Sequence, residues 1–203
     1  MKQTILNKTH KPADALDWDE AMKLISRLSK DGRHRDVMLI STGCFLGLRI
    51  SDILKLKWED LLNEDTIELR EKKTGKKRIL KINKTYKEII IQCHELLNQP
   101  PVDRLIFGNP LNEYRTPVSR QRIAYILREI KKTYRLKSAR TFSSHSLRKT
   151  FGRRIWENEC QNNNGDKVLV LLCEVFNHSN VNITKRYLGI RQEEILSVYD
   201  SLN

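Results

Sequence analysis

A mixed α+β domain, mostly helical with one small antiparallel sheet, is predicted by three features of the sequence. Apolar residues recur at spacings of three and four through most of the chain, the signature of helices with one buried face. Only over residues 66–82 does the period drop to two, on both sides of Thr74-Gly75, as a β-hairpin requires. Short polar and Gly/Pro-containing breaks separate these segments, without internal repeat, low-complexity tract or long linker.

Residues 1–16 are polar, and a loosely ordered segment is expected there. The first helix opens with Asp17 as N-cap and Glu20 three residues on, the pattern of a capping box. Met22, Ile25 and Leu28 share its apolar face, and Asp31-Gly32 ends it. A second helix carries Val37 to Ile40 toward Cys44 and Phe45, with Gly43 and Gly47 flanking a bend. A third is expected through Ile53, Leu54 and Leu56. In the hairpin, Ile67 and Leu69 alternate with polar residues, as do Leu80 and Ile82. Helical spacing returns at Tyr86, Ile89, Ile90, Cys93, Leu96 and Leu97, until Pro100-Pro101 breaks the chain before Leu105-Ile106-Phe107.

Thr116-Pro117 reads as a cap and first turn, opening a helix striped by Ile123, Ile126, Leu127, Ile130 and Tyr134. Ser143-Ser144 precedes another, in which Leu147, Phe151 and Ile155 recur every four residues. After a polar loop, Asp166 opens an almost wholly apolar helix from Val168 to Phe176, which implies burial on most sides. Two short helical stretches finish the chain, one bearing Tyr187 and one spanning about residues 193–202.

With 203 residues, 39% hydrophobic and 31% charged, the chain can bury a core without disulfide or metal. No apolar run approaches the roughly 18 residues of a membrane span, and Met1 to Thr9 lack a signal-peptide core, so a cytoplasmic location is expected. Cys44, Cys93, Cys160 and Cys173 include no C-x-x-C pair; reduced, mostly buried thiols and no metal site are expected. A net charge of +13 points to a polyanionic partner, because clustered Lys and Arg displace the counterions condensed on nucleic acid. The excess gathers around Arg70 to Arg78, from Arg120 to Arg140, and around Arg148 to Arg154. Charge alone does not distinguish DNA, RNA and anionic lipid.

Breaking a phosphodiester with side chains alone calls for fixed cations on its non-bridging oxygens, a nucleophile, and a proton donor for the departing oxygen. Guanidinium suits the first role, being always charged and forked. His145 and Arg148 stand three apart on one helical turn. His178 follows the apolar helix, and Tyr187 comes nine residues later within Ile183 to Gly189. Earlier stand Gly47-Leu48-Arg49-Ile50-Ser51-Asp52 and the hairpin turn Lys73-Thr74-Gly75-Lys76.

These residues resemble the tyrosine recombinases, or phage integrase family, whose pattern runs Arg, Lys, His-x-x-Arg, His or Trp, and Tyr. It falls on Arg49, Lys73, His145, Arg148, His178 and Tyr187, and the likeness extends from about Asp17 to Asn203. The resemblance implies the catalytic-domain fold of DNA breaking-rejoining enzymes over 17–203 and a site-specific recombinase acting on double-stranded DNA. Arg49 and Arg148 would hold the scissile phosphate, with His145 and His178 adding hydrogen bonds or handling protons. Lys73 would protonate the leaving 5′ oxygen, and Tyr187 would attack phosphorus to give a 3′-phosphotyrosyl enzyme. Asp52, at the family's Glu/Asp position, would orient Arg49 or His145. The linkage conserves phosphodiester energy, so neither ATP nor metal nor other cofactor is expected. The family further implies a monomer when free and a tetramer at synapsis.

Taken singly, each residue has a plainer use. Arg49 and Asp52 could be a helical ion pair, His178 a helix cap, Tyr187 a packing residue, and Lys72, Lys76 or Lys77 could replace Lys73; the ordered set is what favours chemistry. A decayed, non-enzymatic DNA binder and a type IB topoisomerase-like enzyme are the rival readings. The sequence also departs from the family. Leu46 replaces the frequent Thr before Gly47, Phe176-Asn177 replaces the common Leu-Gly before His178, and the usual N-terminal helical domain is not found in the residues before Asp17.

Overall fold

A computed structural model of the chain describes residues 13–70, 77–162 and 164–190, together with Leu196 and Tyr199. Helices dominate. They are α1 (Trp18–Lys30), α2 (His34–Leu46), α3 (Ile50–Ile53), α4 (Trp58–Leu62), α5 (Lys84–Leu96), α6 (Arg120–Tyr134), α7 (Ser144–Gln161), α8 (Gly165–Phe176) and α9 (Val181–Leu188). One antiparallel hairpin, β1 (Thr66–Arg70) and β2 (Lys77–Lys81), lies between α4 and α5, and a short 3-10 helix spans Pro110–Asn112. The predicted fold class is the one observed. Among the described residues no helix is long and apolar enough to cross a membrane.

The hairpin register sets Ile67 opposite Leu80 and Leu69 opposite Arg78, so the period-two pattern places Ile67 in the core. Its turn, with Lys73, lies outside the described residues. Helix α1 buries Ala21, Leu24, Ile25 and Leu28, one stripe at helical spacing. Its expected capping box does not form. The Asp17 side chain caps nothing, and the Glu20 carboxylate instead accepts from the backbone N–H groups of Lys137 (2.8 Å) and Ser138 (2.9 Å). Two donors on a distant loop satisfy that carboxylate better than one at its own helix start, and they tie α1 to the approach to α7.

Three other expectations are corrected. The third helix stops at Ile53 after one turn, and a separate helix α4 starts at Trp58, because the chain between them pairs its backbone with Arg104 to Ile106 (Ile106 N to Leu56 O 3.0 Å, Trp58 N to Arg104 O 3.2 Å). Thr116-Pro117 does not open α6. Pro117 bridges Gly108, and Ser119 caps the helix by accepting from Arg122 N at 3.1 Å. Helix α8 is not buried on most sides, since Val170 and Leu171 are about half exposed while Val168, Leu169, Leu172 and Phe176 face inward. Cysteine burial is mixed: Cys44 and Cys93 are buried, Cys173 is half-buried and Cys160 is exposed.

Two apolar clusters share α7. The larger packs α1 to α6 around the buried helix α2 and reaches α7 at Leu147. The smaller joins α8 and α9 to Phe151, Ile155 and Trp156 further along α7. Glycines allow both approaches. A Cβ on Gly43 of α2 would lie 2.5 Å from Leu147 Cβ, and one on Gly152 of α7 would lie 2.7 Å from both Phe176 and Leu188. The end of the polar leader is also tied down, contrary to the loose segment expected up to residue 16. Asp14 N donates to Thr141 O, Leu16 N to Thr150 Oγ1 (2.8 Å) and Asp17 N to Ser138 Oγ (3.0 Å), and the Leu16 side chain is buried.

Replacing Gly43 with Val should therefore force α2 from α7, costing about 3 kcal/mol of unfolding free energy, whereas Gly32→Ala, where the structure offers open space but a left-handed backbone, should cost about 1 kcal/mol. Urea unfolding followed by circular dichroism measures both, and equal losses would contradict the packing account.

Candidate active site

Helix α7 begins where its caps dictate. Ser143 Oγ accepts from His145 N at 3.2 Å, and Ser146 Oγ accepts from Ser143 N at 3.0 Å, a reciprocal box closed by Ser rather than Glu. That start sets His145 and Arg148 on the first turn, on one face.

Arg148 is buried, 4% exposed, and its charge is answered by backbone. Its Nη1 donates to Gly47 O, its Nη2 donates to Phe176 O at 2.9 Å, and its guanidinium carbon lies 4.4 Å from the centre of the Phe176 ring. Arg49 Nη2 reaches the same Phe176 carbonyl at 3.0 Å. Phe176 O is free to accept both because α8 ends there. Asn177 turns left-handed (φ 49°), its N–H bonds Glu174 O, and His178 N bonds Cys173 O, which together form a Schellman close. Asn is the residue after Gly most tolerant of that conformation, so the departure from Leu-Gly preserves the turn.

The close also aims His178. Its Nδ1 lies 2.9 Å from Oγ1 of buried Thr184 on α9, leaving Nε2 for the cavity. Helix α9 starts at Asn180, whose side chain accepts from Ile183 N at 3.0 Å, and ends at left-handed Gly189. Between them Tyr187 is half-buried, its ring edge-on to Phe176 and to His178 at 5.5 and 5.4 Å, and its hydroxyl 3.4 Å from the His145 carbonyl. A cavity of about 310 Å³ is walled by Arg49, His145, Arg148, His178 and Tyr187, together with Ser51, Ser144 and Arg120.

Five of the six expected positions thus meet at one cavity, while Lys73 is outside the described residues. The Asp52 carboxylate does not join Arg49. Arg49 is the extended N-cap of α3, and the i,i+3 contact is made by backbone, Asp52 N donating to Arg49 O at 2.8 Å, while the Asp52 carboxylate accepts from Ser51 Oγ at 3.3 Å. Arg120 escaped the sequence reading as a site residue. The helix start placed at Thr116-Pro117 would have set it a turn into α6, whereas the cap at Ser119 puts it first. The signal available was Ser119 three residues before Arg122 in a basic run.

The electrostatics are those of a cation-rich, partly dry hollow. Burial and then the charges of Arg148, Lys149 and Arg49 hold His145 below its ordinary value, and burial with Arg148 and Arg49 does the same to His178. Burial pushes the Tyr187 phenol up, opposed by Arg148 and Arg49. The set therefore presents two fixed cations, two imidazoles neutral at pH 7 and a protonated phenol, which suits holding a tetrahedral anion against a nucleophile. Among the described residues no group of three or more His, Cys, Asp or Glu side chains could hold a metal ion.

Comparison with known proteins agrees with the class of chemistry that this hollow suits. The model of the phage integrase family matches residues 14–194, and the chain belongs to that family of tyrosine recombinases. It is 33% identical over 180 residues to the probable integrase/recombinase YoeC of Bacillus subtilis (strain 168), covering 89% of this chain and 91% of that protein. Its fold matches the crystal structure of XerA recombinase with a TM-score of 0.69 at 22% identity, over 95% of this chain and 66% of that one. The XerH recombinase bound to palindromic difH substrate after cleavage gives 0.67 at 22%, over 94% and 54%. The chain thus spans about two thirds and about half of these two structures.

The imidazole environment sets a sign for acid stability. Both histidines bind protons less readily folded than unfolded, so the unfolded chain takes up more protons as the pH falls through the ordinary value of 6.5. Their contribution is complete above that value and is lost below it. In the His145→Gln, His178→Gln double variant the decline of urea stability from neutral to mildly acidic pH should be shallower than in wild type; an unchanged slope would contradict the assignment.

Proposed function

We propose that the chain is a site-specific recombinase that cuts and rejoins double-stranded DNA in the cytoplasm through a 3′-phosphotyrosyl intermediate. The observation that carries this is the convergence of Arg49, Arg148, His145, His178 and Tyr187 on one cavity in a chain of this family. XerH, with the same fold, is seen on its DNA substrate after cleavage.

In this reading the two guanidiniums hold the non-bridging oxygens of the scissile phosphate. Tyr187 Oη bonds to phosphorus as the bond to the 5′ oxygen breaks. The phenol proton passes to a neutral imidazole, His145 or His178, and the leaving oxygen takes a proton from Lys73. Reversal of the same steps by a different 5′ hydroxyl rejoins the strand. The phosphotyrosyl bond keeps the free energy of the phosphodiester, so ATP is not required, and two fixed guanidiniums do the charge work often given to a metal ion. Asp52 orients Arg49 through the backbone, its N–H donating to Arg49 O at 2.8 Å.

Tyr187→Phe should abolish the covalent protein–DNA adduct on a nicked suicide substrate while leaving DNA binding nearly intact. Arg49→Ala should slow adduct formation by about 10²–10³-fold, the usual cost of one lost transition-state donor. Persistence of the adduct in Tyr187→Phe would remove the nucleophile assigned here.

We further propose a monomer in solution that forms a cyclic tetramer on DNA, each C-terminal segment docking on a neighbour. Leu196 and Tyr199 are exposed, 53% and 66%, as are Val170 and Leu171 on α8, which would supply apolar surface for the docked segment. Deletion from Gln192 onward should leave melting temperature and DNA binding largely unchanged but impair complete recombination. Loss of all activities together with a melting point many degrees lower would mean that the segment belongs to its own domain.

A further inference from the structure

Lys149 follows Arg148 on α7 and points elsewhere. Its Nζ lies 5.2 Å from the centre of the Tyr187 ring, within the range in which a cation is held by an aromatic face. The same side chain lines a larger cavity of about 990 Å³, bounded by the strap of residues 14–17, α1, α7 and the end of α9 at Leu188 and Gly189. Asp14 on that strap is the carboxylate acting on Lys149, and Arg153, one turn along α7, is the opposing cation. The strap is fixed by backbone bonds to Thr141 and Thr150, so Asp14 is not a free side chain on a loose leader.

We propose that Lys149 is a positioning residue for Tyr187, holding a cation over the phenol ring and linking the nucleophile to the Asp14 strap. The inference rests on Tyr187 being the nucleophile proposed above. A charge over the ring stabilises negative charge growing on its oxygen as the bond to phosphorus forms, and it restrains the ring to one orientation. The charged and titratable groups facing the phenol are then Arg49, Arg148, His145, His178 and Lys149. The first four sit at the phosphate cavity, whereas Lys149 approaches from the strap side. Its field also helps keep His145 neutral and so able to accept a proton. Burial, with Arg153, holds Lys149 below its ordinary value, and Asp14 is the group that opposes them and favours its charged form. Anything that draws the strap away therefore weakens the cation beneath the nucleophile without touching the phosphate clamp.

The test compares wild type, Lys149→Leu, Lys149→Arg and Tyr187→Phe by single-turnover adduct formation across pH, and by carbon-13 titration of the tyrosine ring carbon bearing the hydroxyl. Tyr187→Phe assigns the resonance and independently checks the nucleophile. Lys149→Leu should slow adduct formation by about 3- to 30-fold at neutral pH, the range such cation–ring contacts supply. The deficit should narrow as the pH rises, with the Tyr187 titration moved upward, and Lys149→Arg should restore most of the rate. A rate deficit independent of pH with an unmoved titration would overturn the proposal, as would wild-type rates in Lys149→Leu. An adduct surviving in Tyr187→Phe would instead overturn the nucleophile, and the ring titration would still report whether Lys149 acts on Tyr187.

Discussion

The Arg148 guanidinium, buried between two backbone carbonyls, is the contact on which the rest of the arrangement depends. Gly47 O belongs to the larger apolar cluster's edge and Phe176 O to the smaller one, so a single side chain spans the seam between them. Removing a partner from a buried charge is costly, on the order of 3–5 kcal/mol. The fold meets this cost with carbonyls that cannot be titrated away. Each stands beside a left-handed residue, Gly47 itself and Asn177. Those turns end α2 and α8 and turn the carbonyls inward. Close approach of α7 to α2, α8 and α9 through Gly43 and Gly152 brings the guanidinium within reach of both.

Two cations on one acceptor would ordinarily separate. Arg49 and Arg148 do not, because Phe176 O is the last carbonyl of a twelve-residue helix and carries the negative end of its dipole. Burial, reinforced by the same pair, holds both imidazoles below their ordinary value, and the pair moderates the rise of the Tyr187 phenol caused by burial. The placing of both cations beside His145, His178 and Tyr187 thus follows from where α8 stops. Lys149 adds a cation from the opposite side, under separate control by the strap.

Much of this was legible in the sequence, and the failures have physical causes. The hairpin could be read because period two has no helical equivalent, and His145 and Arg148 because i,i+3 spacing fixes a shared face. Caps were misread where a side chain had a better partner elsewhere: α1 does start after Asp17, but Glu20 preferred the backbone donors of Lys137 and Ser138 to a capping box, and Ser119 displaced Thr116 as the cap of α6. That second error hid Arg120. The exposed face of α8 was missed because composition alone does not reveal which apolar residues lack a neighbour. The Lys149–Tyr187 contact joins residues 38 apart in sequence (187 − 149) and leaves no local pattern to read.

The anchor at Phe176 has a consequence for sequence drift. The two arginines take from position 176 a carbonyl, which every amino acid carries, while the Phe176 ring lies under the Arg148 guanidinium and fills the space under Gly152. Exchange of one apolar residue for another, as of the common Leu for Phe, therefore leaves the acceptor in place. The constraint falls on its neighbour, which must tolerate the left-handed turn, and on position 152, which must remain without a side chain. The site thus takes a backbone atom from one position and its strictest side-chain demands from two others, none of the three lining the cavity.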